Sequence, residues 1–258
     1  MAELVYPPIL VLFRSIFRGL GIRFTMEGGE NLPDSGGAVL AMNHVSYLDF
    51  AFAGRLALPR KRLVRFMCKE SVFRHPVAGP IMRGMHHIPV DRAAGAAAFG
   101  SAVRALRAGE IVGVFPEATI SRSFTLKDFK SGAARMAMDA GVPIVPMAIW
   151  GGQRVYTKAR RPEFGRGKAV LLKAGEPFRP EPGATALEVT AEIRRRIDVL
   201  LKELQDRYPQ EPAGDSDRWW LPAERGGTAP TPEQAHELDV ADAAERTRKR
   251  REKQQKGK

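Results

Sequence analysis

The segment Asn43-His44-Val45-Ser46-Tyr47-Leu48-Asp49 sets a histidine after an apolar run and an aspartate five residues later. An imidazole titrates near neutral pH, so it can take a proton from an alcohol in one step and return it in the next. A carboxylate on its other nitrogen fixes the tautomer and stabilises the imidazolium that forms. Ala38 to Met42 reads as a buried strand, and Tyr47 onward has helical apolar spacing. His44 is therefore expected at the C-terminal end of a strand and Asp49 in the first turn of a helix. Taken alone the pair is a weak signal, because a loop histidine beside an ordinary helix N-terminal carboxylate has the same spelling.

Three further segments strengthen it. Gly84-Met85-His86-His87-Ile88-Pro89-Val90-Asp91-Arg92 is a short strand closing on an arginine. Val114-Phe115-Pro116-Glu117-Ala118-Thr119 follows a strand from Ile111 to Val114, and Val142-Pro143-Ile144-Val145-Pro146 enters another. In this order and at these intervals the set, from Asn43 to Trp150, resembles the glycerolipid acyltransferase family, which includes the 1-acylglycerol-3-phosphate acyltransferases.

The resemblance implies that His44 deprotonates the acceptor's hydroxyl as it attacks an acyl thioester, with Asp49 holding the ring and no serine or cysteine nucleophile required. It implies that Arg92 binds the acceptor's phosphate, a role suited to the planar, permanently charged fork of a guanidinium. The residues alone also allow Arg92 a surface ion pair with Asp91. Glu117 would accept hydrogen bonds from the glycerol backbone, with Thr119 and Arg122 as helpers and Lys130 as a second positive charge. No metal or bound cofactor is needed, since an acyl-CoA or acyl carrier protein thioester is an activated co-substrate. The family usually reads Phe-Pro-Glu-Gly-Thr-Arg where this chain has Phe115-Pro116-Glu117-Ala118-Thr119-Ile120, its arginine displaced to Arg122. Alanine in place of glycine argues against a left-handed backbone at residue 118. The displaced arginine bears on the identity of the acceptor headgroup.

His86-His87-Ile88-Pro89-Val90-Asp91 also spells the His-His-x-x-x-Asp signature of an unrelated acyltransferase superfamily, the chloramphenicol acetyltransferase and condensation-domain type. That signature normally continues with glycine, whereas Arg92 follows here, so His86 and His87 are read as structural or site-lining. No Gly-x-Ser-x-Gly elbow occurs, which disfavours a hydrolase. Two readings of different class remain: an acyltransferase acting on a lysophospholipid or another acceptor, and a membrane-associated lipid-binding protein with the same fold but no turnover.

The elements that must position these residues alternate along the chain. Strands are predicted at Ile22 to Met26, Ala38 to Met42, Val64 to Cys68, Ile88 to Val90, Ile111 to Val114, Ile144 to Ile149 and Ala169 to Ala174, with helices at Tyr47 to Ala57, Pro76 to Met85, Ala96 to Ala108 and Gly132 to Ala140. The pattern predicts an α/β fold, a layered and largely parallel sheet flanked by helices, with ligands at the C-terminal ends of strands. By the resemblance, it is glycerol-3-phosphate acyltransferase-like. At 258 residues and 44% hydrophobic, the chain supports one large α/β core over residues 22–209. The single cysteine, Cys68, excludes an internal disulfide and reads as a buried strand residue in a reducing setting.

Residues 1–21 read as an amphipathic helix, with Ile9, Leu10, Leu12, Phe13, Ile16, Phe17 and Leu20 on one face and Arg14 and Arg18 on another. It is too short and too charged to span a bilayer. It suits either packing on the sheet or lying on an anionic membrane surface, and a peripheral protein on the cytoplasmic face of the membrane is expected. Residues 210–258 read as a linker and a partly disordered basic tail, in which Thr231-Pro232-Glu233-Gln234 has the form of a helix start. Of the chain's net charge of +12, residues 246–258 supply +7, from eight Lys/Arg against one Glu. The remainder of the chain is thus only mildly basic, which argues against nucleic-acid binding.

Overall fold

The computed structural model describes residues 3–91 and 95–256. Arg92 lies outside the described residues. The chain divides into two compact units, Met1–Ile120 with Asp128–Gln210, and Ser121–Lys127 with Glu211–Lys258.

The first unit contains α1 (Tyr6–Gly19), β1 (Arg23–Glu27), β2 (Ala38–Met42), α2 (Asp49–Ala57), β3 (Val64–Lys69), α3 (Glu70–Phe73), α4 (Ala78–Gly84), β4 (Ile88–Val90), α5 (Gly95–Arg107), β5 (Ile111–Val114), α6 (Gly132–Ala140), β6 (Ile144–Trp150), β7 (Ala169–Ala174) and α7 (Ala186–Asp206). The strands form one sheet in the order β1-β7-β6-β2-β5-β3-β4. Every pair is parallel except β6 with β7.

β2 is the axis of this sheet because it is apolar throughout. All five of its residues are buried, and it pairs with β5 on one side and β6 on the other, as strands covered on both faces do. Across from Leu40 on β5 lies Gly113, and a side chain there is excluded. A Cβ at Gly113 would stand 2.6 Å from the ring of Phe66 and 2.8 Å from Val64, so the glycine is the space that Phe66 occupies.

α1 begins with prolines in its first turn, where a missing N–H costs nothing. It packs on the core through buried Phe17 and half-buried Phe13, while Val11, Leu12 and Ile16 stay exposed. No helix among the described residues is long and apolar enough to cross a membrane. α7, the longest helix of this unit, has no counterpart among the predicted helices. Its signals are nonetheless present: Thr185 and Glu188 form a capping box, and Val189, Ile193, Ile197, Leu200 and Leu204 recur on one buried face packed on β6 and β7.

In the second unit, in place of the expected linker, short 3-10 helices form at Asp215–Trp220 and Ala223–Arg225, with Trp220 buried. The tail is helical as α8 (Pro232–Lys256). Thr231 and Gln234 cap it reciprocally, at 3.0 and 3.3 Å.

Candidate active site

Asp49 is the first residue of α2 and is completely buried. Its Oδ2 lies 3.0 Å from His44 Nδ1 and accepts the backbone N–H groups of Val45 and Ser46, each at 2.7 Å. A carboxylate that serves three donors acts purely as an acceptor, so Nδ1 of His44 carries the hydrogen. Nε2 is then left with the lone pair. The His44 side chain is 20% exposed, so the ring is partly open to solvent. One face of that ring is covered by Phe115, stacked at 4.1 Å and 22°.

The turn carrying these groups is fixed from both sides. Fully buried Asn43 donates to Ile149 O at 3.0 Å and accepts Ile149 N–H at 2.7 Å. Its amide thus imitates a peptide group and extends the β2–β6 ladder beyond Met42. Ser46 Oγ donates to Tyr156 O at 2.7 Å, Tyr47 N–H to the same carbonyl at 3.1 Å, and Thr157 Oγ1 to Val45 O at 2.7 Å. Asp49 Oδ1 has no hydrogen-bond partner among the described residues. It faces Gly152, where a Cβ would stand 3.1 Å from that oxygen.

Glu117 lies beyond the end of β5 and is buried. Its Oε1 accepts the backbone N–H of His44 at 2.8 Å, joining two motifs 73 residues apart. Thr119 follows on the same loop, half-buried. Lys130 is exposed and its N–H closes on Pro116 O at 2.9 Å, which folds the chain back behind Phe115-Pro116-Glu117. Arg122 belongs to the second unit, where its guanidinium pairs with Asp239 at 3.3 Å and Asp242 at 2.6 Å.

The expectation for Ala118 is overturned. Its φ is +61°, in the left-handed region, despite the methyl group. A turn bond from its N–H to Phe115 O at 2.9 Å, with the Lys130 bond just described, holds the loop in that form at a cost of about 1–2 kcal/mol.

His87 has a different task. It is buried between Tyr6 and Phe66, both edge-on, and its Nδ1 accepts the N–H of Phe66 at 3.1 Å. Burial first, and then the charges of Arg65 and His86, push its pKa down to about 4. It is a neutral packing residue that fastens β3, as the structural reading of the double histidine requires.

Of the residues singled out in the sequence, the structure brings His44, Asp49 and Glu117 together. Sequence reasoning passed over Asn43, Ser46, Tyr156, Thr157 and Gly152. Asn43 gave the one local signal, a polar amide directly after a buried strand.

An α/β sheet thus carries, past the end of its central strand, a histidine held by a buried carboxylate. The family model described as Acyltransferase matches residues 23–150. The 1-acyl-sn-glycerol-3-phosphate acyltransferase of Bacillus subtilis is 28% identical over 208 residues, 77% of this chain and 100% of that protein. An uncharacterized acyltransferase of Schizosaccharomyces pombe is 34% identical over 201 residues, 72% of this chain and 68% of that protein. The crystal structure of the 1-acyl-sn-glycerophosphate (LPA) acyltransferase PlsC from Thermotoga maritima superposes with a TM-score of 0.68 at 26% identity, over 79% of this chain and 80% of that one. The chain belongs to this acyltransferase family.

Proposed function

We propose that the protein transfers a fatty acyl group from an acyl thioester, acyl-CoA or acyl carrier protein, to the free hydroxyl of 1-acylglycerol 3-phosphate, giving phosphatidic acid. The observation that carries this reading is the His44 Nδ1 to Asp49 Oδ2 contact at 3.0 Å on a histidine whose side chain is 20% exposed. Nε2 takes the acceptor's hydroxyl proton as the oxygen attacks the thioester carbonyl. The tetrahedral intermediate then collapses, the carbon–sulfur bond breaks, and the departing thiolate recovers the proton from the imidazolium. Asp49, whose Oδ2 faces His44 Nδ1, stabilises the imidazolium. Glu117 fixes the main chain of His44 and so the height of the ring, beside its expected contact with the glycerol backbone. Thr119 and Lys130 stand on the loop that carries it, and Arg92 supplies the phosphate contact.

The acceptor follows the Bacillus and Thermotoga relatives, whose names specify 1-acyl-sn-glycerol 3-phosphate and LPA. The exposed Val11, Leu12 and Ile16 of α1, with Arg14 and Arg18 on the same helix, suit attachment to the cytoplasmic face of a membrane where such a lipid resides. Ala118 no longer favours a non-catalytic protein, since it keeps the backbone form that glycine would give.

The test is transfer of radiolabelled palmitate from acyl-CoA and from acyl carrier protein to lysophosphatidic acid, other lysophospholipids and glycerol 3-phosphate, by wild type, His44→Ala and His87→Ala. Transfer to lysophosphatidic acid that disappears in His44→Ala and persists in folded His87→Ala is expected. No transfer to any acceptor, with lipid binding retained, would overturn catalysis; transfer only to another acceptor would overturn the proposed substrate.

A further inference from the structure

A groove of about 430 Å³ runs between α1 and α2, lined by Phe13, Phe17, Ala51 and Leu58, with Arg14 and Arg55 on its wall. Its volume falls within the roughly 300–1,000 Å³ typical of small-ligand sites. The walls are mainly apolar, yet they carry two cations. α1 has no acidic residue, and neither Arg14 nor Arg55 has a carboxylate partner among the described residues. Arg55 lies over the ring of Phe24 at 4.7 Å, and its Nε is buried without a hydrogen-bond acceptor. Burial and the nearby charge of Arg14 hold its pKa below the usual arginine value. Two guanidiniums that repel one another and lack an anion, set against apolar walls, are complementary to a molecule with a negative head and a hydrocarbon tail.

We propose that this groove binds one anionic glycerophospholipid of the bilayer, its phosphate bridging Arg14 and Arg55 and one acyl chain lying along Phe13, Phe17, Ala51 and Leu58. A zwitterionic headgroup is disfavoured because its own cation would meet the two arginines. A free inorganic anion would leave the apolar walls uncovered. Exposed Val11, 64% accessible, and Met26, 37% accessible, also line the groove, where a lipid's second chain would cover them. The site does not depend on the acyl-transfer reading, since its lining includes none of the candidate active-site residues.

The experiment titrates monomeric dihexanoyl phosphatidylglycerol into wild type, Arg14→Glu, Arg55→Gln and His44→Ala by calorimetry. Dihexanoyl phosphatidylcholine and hexanoate serve as comparators. Phosphatidylglycerol is expected to bind wild type and His44→Ala alike, and more tightly than either comparator. Loss of one charge-assisted contact is expected to weaken each arginine variant about tenfold or more. Equal affinity for phosphatidylcholine, unchanged binding in the arginine variants, or hexanoate binding as tightly as phosphatidylglycerol would each overturn the site. Arg14 is solvent-exposed, so its substitution reports even where Arg55→Gln fails to fold.

Discussion

Asp49 carries more of the site than any other side chain because one oxygen serves three donors, one of them the histidine. Asp49→Asn keeps the volume and leaves an oxygen for Val45 and Ser46, but removes the negative charge opposite the imidazolium. The expected result is a fall in kcat of about 10²–10⁴-fold with a small change in KM, measured by steady-state acyl transfer. Ala118 makes a prediction of the opposite kind. Ala118→Gly relieves the left-handed strain of about 1–2 kcal/mol but adds about 0.5–1 kcal/mol of unfolded-chain entropy. A net gain of about 1 kcal/mol is expected from urea unfolding, with transfer activity unchanged. At this scale the sequence was legible where partners are close in the chain. His44 and Asp49 are five residues apart and share one turn, so their bond follows from local geometry. The bond of Glu117 to the N–H of His44 spans 73 residues, and no local pattern specifies it. The conformation of Ala118 was misread because intrinsic preference yielded to two hydrogen bonds closing the loop.

The working residues stand at the ends of elements, and the element ends are what the polar side chains secure. Asn43 shows this most directly, as its amide completes the ladder between β2 and β6 after the last paired backbone residue. Asn43→Ala leaves the buried N–H and C=O of Ile149 without their partner. A loss of about 2–4 kcal/mol is expected in urea unfolding, with a fall in kcat that persists at temperatures where the variant stays folded. The strands were readable from composition, because parallel strands buried on both faces appear as continuous apolar runs, and Ala38–Met42 and Ile144–Trp150 are such runs. The reversal of β7 against β6 was not readable, since apolar content carries no direction. α7 was missed although its cap and its periodicity are both spelled out, so the signal was there and unread.

At the scale of the molecule, charge is handled unit by unit. In the second unit Asp239 receives both Arg122 and Lys127, so two cations that follow the Glu117 segment in sequence are held by α8. Their place was illegible because Asp239 is more than a hundred residues away in the chain. In the first unit buried His87 couples stability to pH. Its folded pKa of about 4 lies below the 6.5 of unfolded histidine, so on acidification the unfolded chain takes up the proton first. The stabilisation is complete above pH 6.5, declines as pH falls and is gone by about pH 4, a span worth about 3 kcal/mol. The melting temperature of wild type is expected to fall across this window, and that of His87→Gln to fall less. The sheet itself ends in two unlike rims. β4 is three residues long with Pro89 at its centre, a position with no N–H to offer a neighbour. β1, at the other rim, ends in Glu27, tied to Arg207 at 2.7 Å. Molecules crowded together therefore find on the β4 rim only a short edge interrupted by a proline, which disfavours strand recruitment on that side of the sheet.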